Sequence, residues 1–90
     1  MRIISGTARG TKLYTLEGYE TTRPTLDRVK EALFSKINLE LYDSTILDLF
    51  SGSGALALES LSRGAKCAYA CDNSFKAIKI IKQNIRKNSF

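Results

Sequence analysis

Histidine and tryptophan are absent from these 90 residues, proline occurs once, at Pro24, and cysteine only twice. Without histidine the chain lacks the commonest metal ligand and the side chain that titrates nearest neutrality, and Cys67 and Cys71 have the wrong spacing for a zinc knuckle. No metal is expected. In KCAYAC the two thiols lie on one face of a strand, roughly 13 Å apart, whereas disulfide Cα atoms sit roughly 4.4 to 6.8 Å apart. Buried free thiols in a reducing compartment are the expectation. No apolar run nears the roughly 18 residues of a membrane span, and MRIISGTARG turns polar too soon for a leader. A soluble cytoplasmic protein without a membrane partner is anticipated.

Acidic residues are missing from both ends. None precedes Glu17, while Arg2, Arg9 and Lys12 do, and from Ser74 to Phe90 five basic residues occur with no acid. With a net charge of +5, two basic surfaces point to a polyanionic partner, although a lysine-bearing helix face is most often merely solvated. A hydrophobic share of 43% with 26% charged residues excludes disorder. Ninety residues make at most one small domain with a marginal core.

Along the chain, two β-prone runs flank SGTARG, which predicts a hairpin or flap, and EGYETTRP follows as a loop. Thr25 is placed as an N-cap, with a helix from Leu26 to about Leu39 whose apolar face holds Leu26, Val29, Leu33 and Ile37. Asp43 and Ser44 mark a turn, Thr45 to Phe50 a strand, and Leu56, Ala57, Leu58 and Leu61 a helix buried against a sheet. Gly64 suits its C-terminal cap, Ala65 to Cys71 form the next strand, and Ser74 caps a last helix with Ala77, Ile78, Ile81 and Ile85 on one face. There is no internal repeat. Strands alternating with helices give an α/β fold with parallel strands and right-handed crossovers.

The chemistry gathers at DLFSGSG. Gly52 and Gly54 sit where a strand hands over to a helix, and an acid, Asp72, ends the next strand. Bare glycine backbone beside a helix N-terminus, with a carboxylate able to accept from both ribose hydroxyls, describes a nucleoside site. The alternative for Asp72, weighed below the ligand role, is an acid that caps the following helix or closes the turn. Asp48 distinguishes the cofactors, because a carboxylate late in the strand repels a pyrophosphate received by the turn but suits the cationic amino end of S-adenosylmethionine. DxFxGxG therefore favours S-adenosylmethionine over NAD.

Taken together, MRIISGTARGTKL, TRPTLDRVKEALFSKI, ILDLFSGSGALALESLSRGA and a closing helix with KQN resemble the bacterial methyltransferases that modify a guanine N2 of 16S ribosomal RNA. The likeness runs along essentially the whole chain. It implies the amino-terminal part of a Rossmann-like S-adenosylmethionine-dependent methyltransferase fold, preceded by a β-hairpin arm and a helix. Residues 1–22 would form the basic arm and loop, and 23–90 the amino-terminal half of the cofactor domain. By this resemblance Asp48, Gly52, Gly54 and Asp72 hold the cofactor, and Arg23, Pro24 and Thr25 approach its methionine end. Arg2, Arg9 and Lys12 reach toward the RNA, and Asn84 is structural. The partner implied is 16S ribosomal RNA or the small ribosomal subunit.

Members of that family run to roughly twice this length and carry an NPPY-like or DPPY-like loop that holds the target amine; here the sole proline is Pro24. Orienting the amine, removing its proton and stacking the extruded base fall to no residue of this chain, so its catalytic residues are unassigned. A two-stranded parallel sheet would leave an edge and a face uncovered, which predicts weak stability or rescue by oligomerisation. Two other functions compete: a non-catalytic RNA-binding module using the arm and last helix, and an NAD-binding half-domain.

Overall fold

A computed structural model describes residues 2–15, 18–19, 24–49, 52–88 and 90, with backbone alone for 15, 18–19 and 24–27. The elements are β1 (Tyr14–Thr15), β2 (Gly18–Tyr19), α1 (Pro24–Leu41), β3 (Thr45–Asp48), α2 (Ala55–Ser62), β4 (Cys67–Ala70) and α3 (Phe75–Lys87). β3 and β4 pair in parallel, with Thr45 opposite Cys67 and Asp48 opposite Ala70. β1 and β2 form a small antiparallel pair in which β2 lies within the segment expected to be loop.

The predicted amino-terminal hairpin is present. Arg2 bridges Lys12, Ile3 N–H donates to Thr11 O at 2.9 Å, and Gly10 N–H donates to Ile3 O at 2.8 Å. It is not a free arm. Ile3 and Leu13 are fully buried and pack with Ala55 and Leu58 of α2, and the hairpin tip is tied to the end of that helix. Thr7 N–H donates to Ser62 O and Ala8 N–H to Ser62 Oγ, which in turn donates to Ser5 O. A Cβ on Gly6 (φ 91°) would stand 1.8 Å from Ser62 O, so only glycine allows this approach.

Helix α1 departs from expectation at its start and around its axis. It begins at Pro24, a residue suited to the first helical position, so Thr25 is inside the helix rather than its N-cap. Val29 is 61% exposed and Leu33 is exposed too, whereas Lys30, Phe34 and Leu41 are buried. Polar partners set this rotation. Lys30 Nζ donates to Arg2 O at 2.7 Å and meets Glu59 of α2 at 3.2 Å, and Arg63 lies over the Phe34 ring at 4.9 Å.

Helix α2 is central, flanked by the sheet and the hairpin, and buries Glu59, Ser60 and Ser62 along with Ala55, Ala57 and Leu58; Leu56 stays partly exposed. Glu59 is wholly buried and ionically satisfied. Its carboxylate accepts from Ile4 N–H, Ser5 N–H, Lys30 and Arg63. Ser74 caps α3 as expected, its Oγ accepting from Ala77 N–H, and Ala77 and Ile81 face inward.

Among the described residues the other face of the parallel pair is bare. Leu47 and Tyr69, opposite each other in register, are 62% and 59% exposed. This also corrects the expectation of buried thiols: Cys67 is half-buried and Cys71 exposed, both unpaired, because nothing among the described residues covers that side.

Candidate nucleoside-cofactor site

β3 and β4 end together, and the candidate residues converge at their carboxyl ends, where ligands of open α/β sheets bind. Asp48 is the last residue of β3; its main-chain carbonyl accepts from Cys71 N–H at 2.8 Å, which carries the sheet pairing to the edge of the turn. Its Oδ2 is buried and has no hydrogen-bond partner among the described residues. A buried carboxylate oxygen left so is costly and matches a ligand that brings a donor.

The glycine turn follows in left-handed backbone, with φ of 60° at Gly52 and 83° at Gly54. A Cβ on Gly52 would meet nothing within 4 Å, so the space beside its backbone is open, while Gly54 packs against Ile81 and Leu58. Asp72 clamps the turn. One carboxylate oxygen accepts from Gly52 N–H at 3.0 Å and the other from Ser74 N–H at 2.9 Å. The capping and ribose-binding readings of Asp72 are thus compatible, since each carboxylate oxygen retains a second acceptor direction.

Asn84 braces the same turn from behind. Fully buried on α3, its Nδ2 donates to Ser53 O at 2.8 Å and to Tyr14 O at 2.9 Å, and its Oδ1 accepts from Tyr14 N–H at 2.8 Å. Hairpin, glycine turn and last helix thereby share one side chain. From sequence it was only a structural residue of α3, because its partners lie far away in the chain.

Other expected residues do not join this cluster. Arg23 lies outside the described residues, and Pro24 and Thr25 are described only as the backbone that opens α1. Arg2, Arg9 and Lys12 are exposed, but the hairpin tip bearing Arg9 docks at Ser62, the far end of α2 from the glycine turn. Eight helical residues separate those ends, roughly 12 Å.

The Lys30–Glu59–Arg63 network escaped sequence reasoning altogether. Glu59 and Arg63 have helical i,i+4 spacing, but nothing local marks Lys30 as their partner. Burial by itself would raise the Glu59 pKa; the Arg63 and Ile4 hydrogen bonds and the Lys30 charge outweigh it and leave that pKa lowered.

Residues 1–90 match the model of the family described as Conserved hypothetical protein 95 along their whole length. The chain belongs to this family. It is 44% identical over 86 residues to the candidate rRNA methyltransferase YlbH of Bacillus subtilis, an alignment covering 96% of this chain and 46% of that protein. It is 52% identical over 66 residues to ribosomal RNA small subunit methyltransferase D of Haemophilus influenzae, covering 73% of this chain and 34% of that one. The solved structure of the candidate methyltransferase yhhF of Escherichia coli superposes with a TM-score of 0.85 at 38% identity, covering 99% of this chain and 48% of the other. The fold is therefore the amino-terminal part of a Rossmann-like methyltransferase fold, and the chain spans less than half the length of these relatives. Among the described residues no helix is long and apolar enough to cross a membrane, and no cluster of metal-binding side chains occurs.

Proposed function

We propose that this chain supplies the cofactor half of a cytoplasmic RNA methyltransferase that uses S-adenosylmethionine and modifies the N2 amine of a guanine in 16S ribosomal RNA. In domain terms, residues 1–22 are the basic arm and loop, of which residues 3–13 dock onto α2, and residues 23–90 the cofactor unit. The observation that carries the reading is the unpartnered, buried Asp48 oxygen at the mouth of a glycine turn that Asp72 clamps. The relatives' names supply the RNA.

Bound S-adenosylmethionine would supply an electrophilic methyl group for the guanine amine. Asp48 would accept a hydrogen bond from the methionine ammonium and Asp72 would accept from the ribose hydroxyls, while Gly52 leaves room for the ligand against its backbone. Orienting the guanine amine and taking its proton are not tasks of the residues above.

Calorimetric titration with S-adenosylhomocysteine tests the reading. Binding by the folded chain, lost in Asp72→Ala and absent with NAD, is expected. NAD binding at the same site would instead support the dinucleotide alternative, and a folded chain that binds RNA but neither nucleoside would support a simple RNA-binding module.

A further inference from the structure

A polar side chain at an apolar position of a helix calls for a reason. Ala77 and Ile81 set the buried face of α3, and Asn84, three residues further on, takes the next place on that face and is fully buried. An aliphatic side chain there would pack α3 without desolvating an amide. What the amide adds is direction. One Nδ2 proton goes to Ser53 O at 2.8 Å and the other to Tyr14 O at 2.9 Å, while Oδ1 accepts from Tyr14 N–H at 2.8 Å. Turning the amide over would set donor against donor at Tyr14 N–H and acceptor against acceptor at both carbonyls, so a single orientation satisfies the set.

On the turn side, Asn84 holds a segment that does not fix its own shape. Ser53 stands between Gly52 and Gly54, both in left-handed backbone, and glycine admits other conformations at little cost. Two side chains supply the restraint. Asp72 accepts from Gly52 N–H, and Asn84 donates to Ser53 O. The Ser53–Gly54 peptide is trans and planar, so holding its carbonyl toward Asn84 also aims the Gly54 N–H away from that amide. On its other side Asn84 grips both main-chain groups of Tyr14, 70 residues away in sequence. The glycine turn and β1 therefore share a fastening that neither Asp48 nor Asp72 provides.

We propose that Asn84 is a positioning residue for the nucleoside, acting through the Ser53 carbonyl, and that it couples the cofactor turn to the docking of β1 at Tyr14. This rests on the nucleoside site proposed above. A turn already held in its binding shape loses less of the ligand's interaction free energy to ordering. The coupling is reciprocal: a nucleoside that favours the held turn also favours Tyr14 in its docked place.

Calorimetric titration of the 90-residue chain with S-adenosylhomocysteine tests this, at a temperature where circular dichroism shows each variant folded. Asn84→Ser is expected to weaken binding about tenfold, the upper range for one lost hydrogen bond. Ser62→Ala, which removes the Ala8 and Ser5 contacts of the hairpin at the far end of α2, is expected to stay within about twofold of wild type. Amide hydrogen exchange of the wild-type chain gives a second reading that needs no variant. Saturating S-adenosylhomocysteine should slow the Tyr14 N–H about tenfold more than the Ala8 N–H. The proposal is overturned if folded Asn84→Ser binds as wild type does, if Ser62→Ala loses as much affinity, or if Tyr14 and Ala8 slow equally. A wild-type chain that does not bind the nucleoside removes the cofactor reading instead, and exchange in the free chain then decides on Asn84. A Gly52 N–H that exchanges at least about tenfold faster in Asn84→Ser upholds the hold on the turn, and an unchanged rate overturns it.

Discussion

Asp48 and Asp72 stand at the same turn with opposite hydrogen-bonding states, and substitution should separate them. Asp72 serves the fold already, through Gly52 and Ser74, so Asp72→Ala should cost about 1 to 2 kcal/mol of stability as well as nucleoside affinity. Asp48 has a buried oxygen without a partner, so Asp48→Asn should leave stability unchanged to within about 1 kcal/mol while weakening S-adenosylhomocysteine at least about tenfold. Parallel denaturant melts and calorimetry read both effects; equal losses of stability in the two variants would contradict this division. Gly6 is a different case, since its side is closed by the Ser62 carbonyl. Gly6→Ala should destabilise by about 2 to 3 kcal/mol, combining left-handed strain with displacement of the hairpin tip, and urea unfolding would show it as a lower midpoint at unchanged slope.

Among the elements, the junction of α1, α2 and the hairpin depends on the buried Glu59 carboxylate. Its pKa is lowered from 4.5, so its contribution is complete above the unfolded value and is lost as pH falls through the lower folded value. Stability should therefore fall with acidification below about 4.5, and Glu59→Gln should flatten that part of the profile in pH-dependent chemical denaturation. At neutral pH the same variant leaves Lys30, only 4% exposed, without its counter-charge, and a loss of about 3 to 5 kcal/mol is expected. That is a large fraction of the stability of a domain this small. The network also explains why helical periodicity located α1 but not its buried face. Counting apolar residues favoured Val29 and Leu33, whereas an ion pair with a residue on another helix turned Lys30 and Phe34 inward.

For the molecule as a whole, the bare side of the sheet is the governing feature. Leu47 and Tyr69 form an exposed apolar pair on a two-stranded parallel sheet, an arrangement that natural folds cover. The chain by itself should melt below about 60 °C as a monomer. Any self-association seen by sedimentation over a concentration series should diminish in the double variant Leu47→Lys, Tyr69→Lys. A concentration-independent monomer with a cooperative melt well above that temperature would contradict the expectation of weak stability.

Much of this was local and therefore legible. Gly52 and Gly54 between a strand and a helix, Ser74 as an N-cap, and alternating strands and helices are properties of neighbouring residues, and they located the turn and the element order from the sequence alone. Asp48 and Asp72 were identifiable as candidate ligands because Asp48 ends one strand of the parallel pair and Asp72 follows shortly after the other. Tertiary structure decided the rest. It turned a presumed arm into part of the core through Ile3 and Leu13, joined Tyr14 to Ser53 through Asn84, and assembled Lys30, Glu59 and Arg63. These are pairings between residues distant in the chain. Their energy comes from excluding water around particular polar partners, and neither periodicity nor composition specifies which partners will meet.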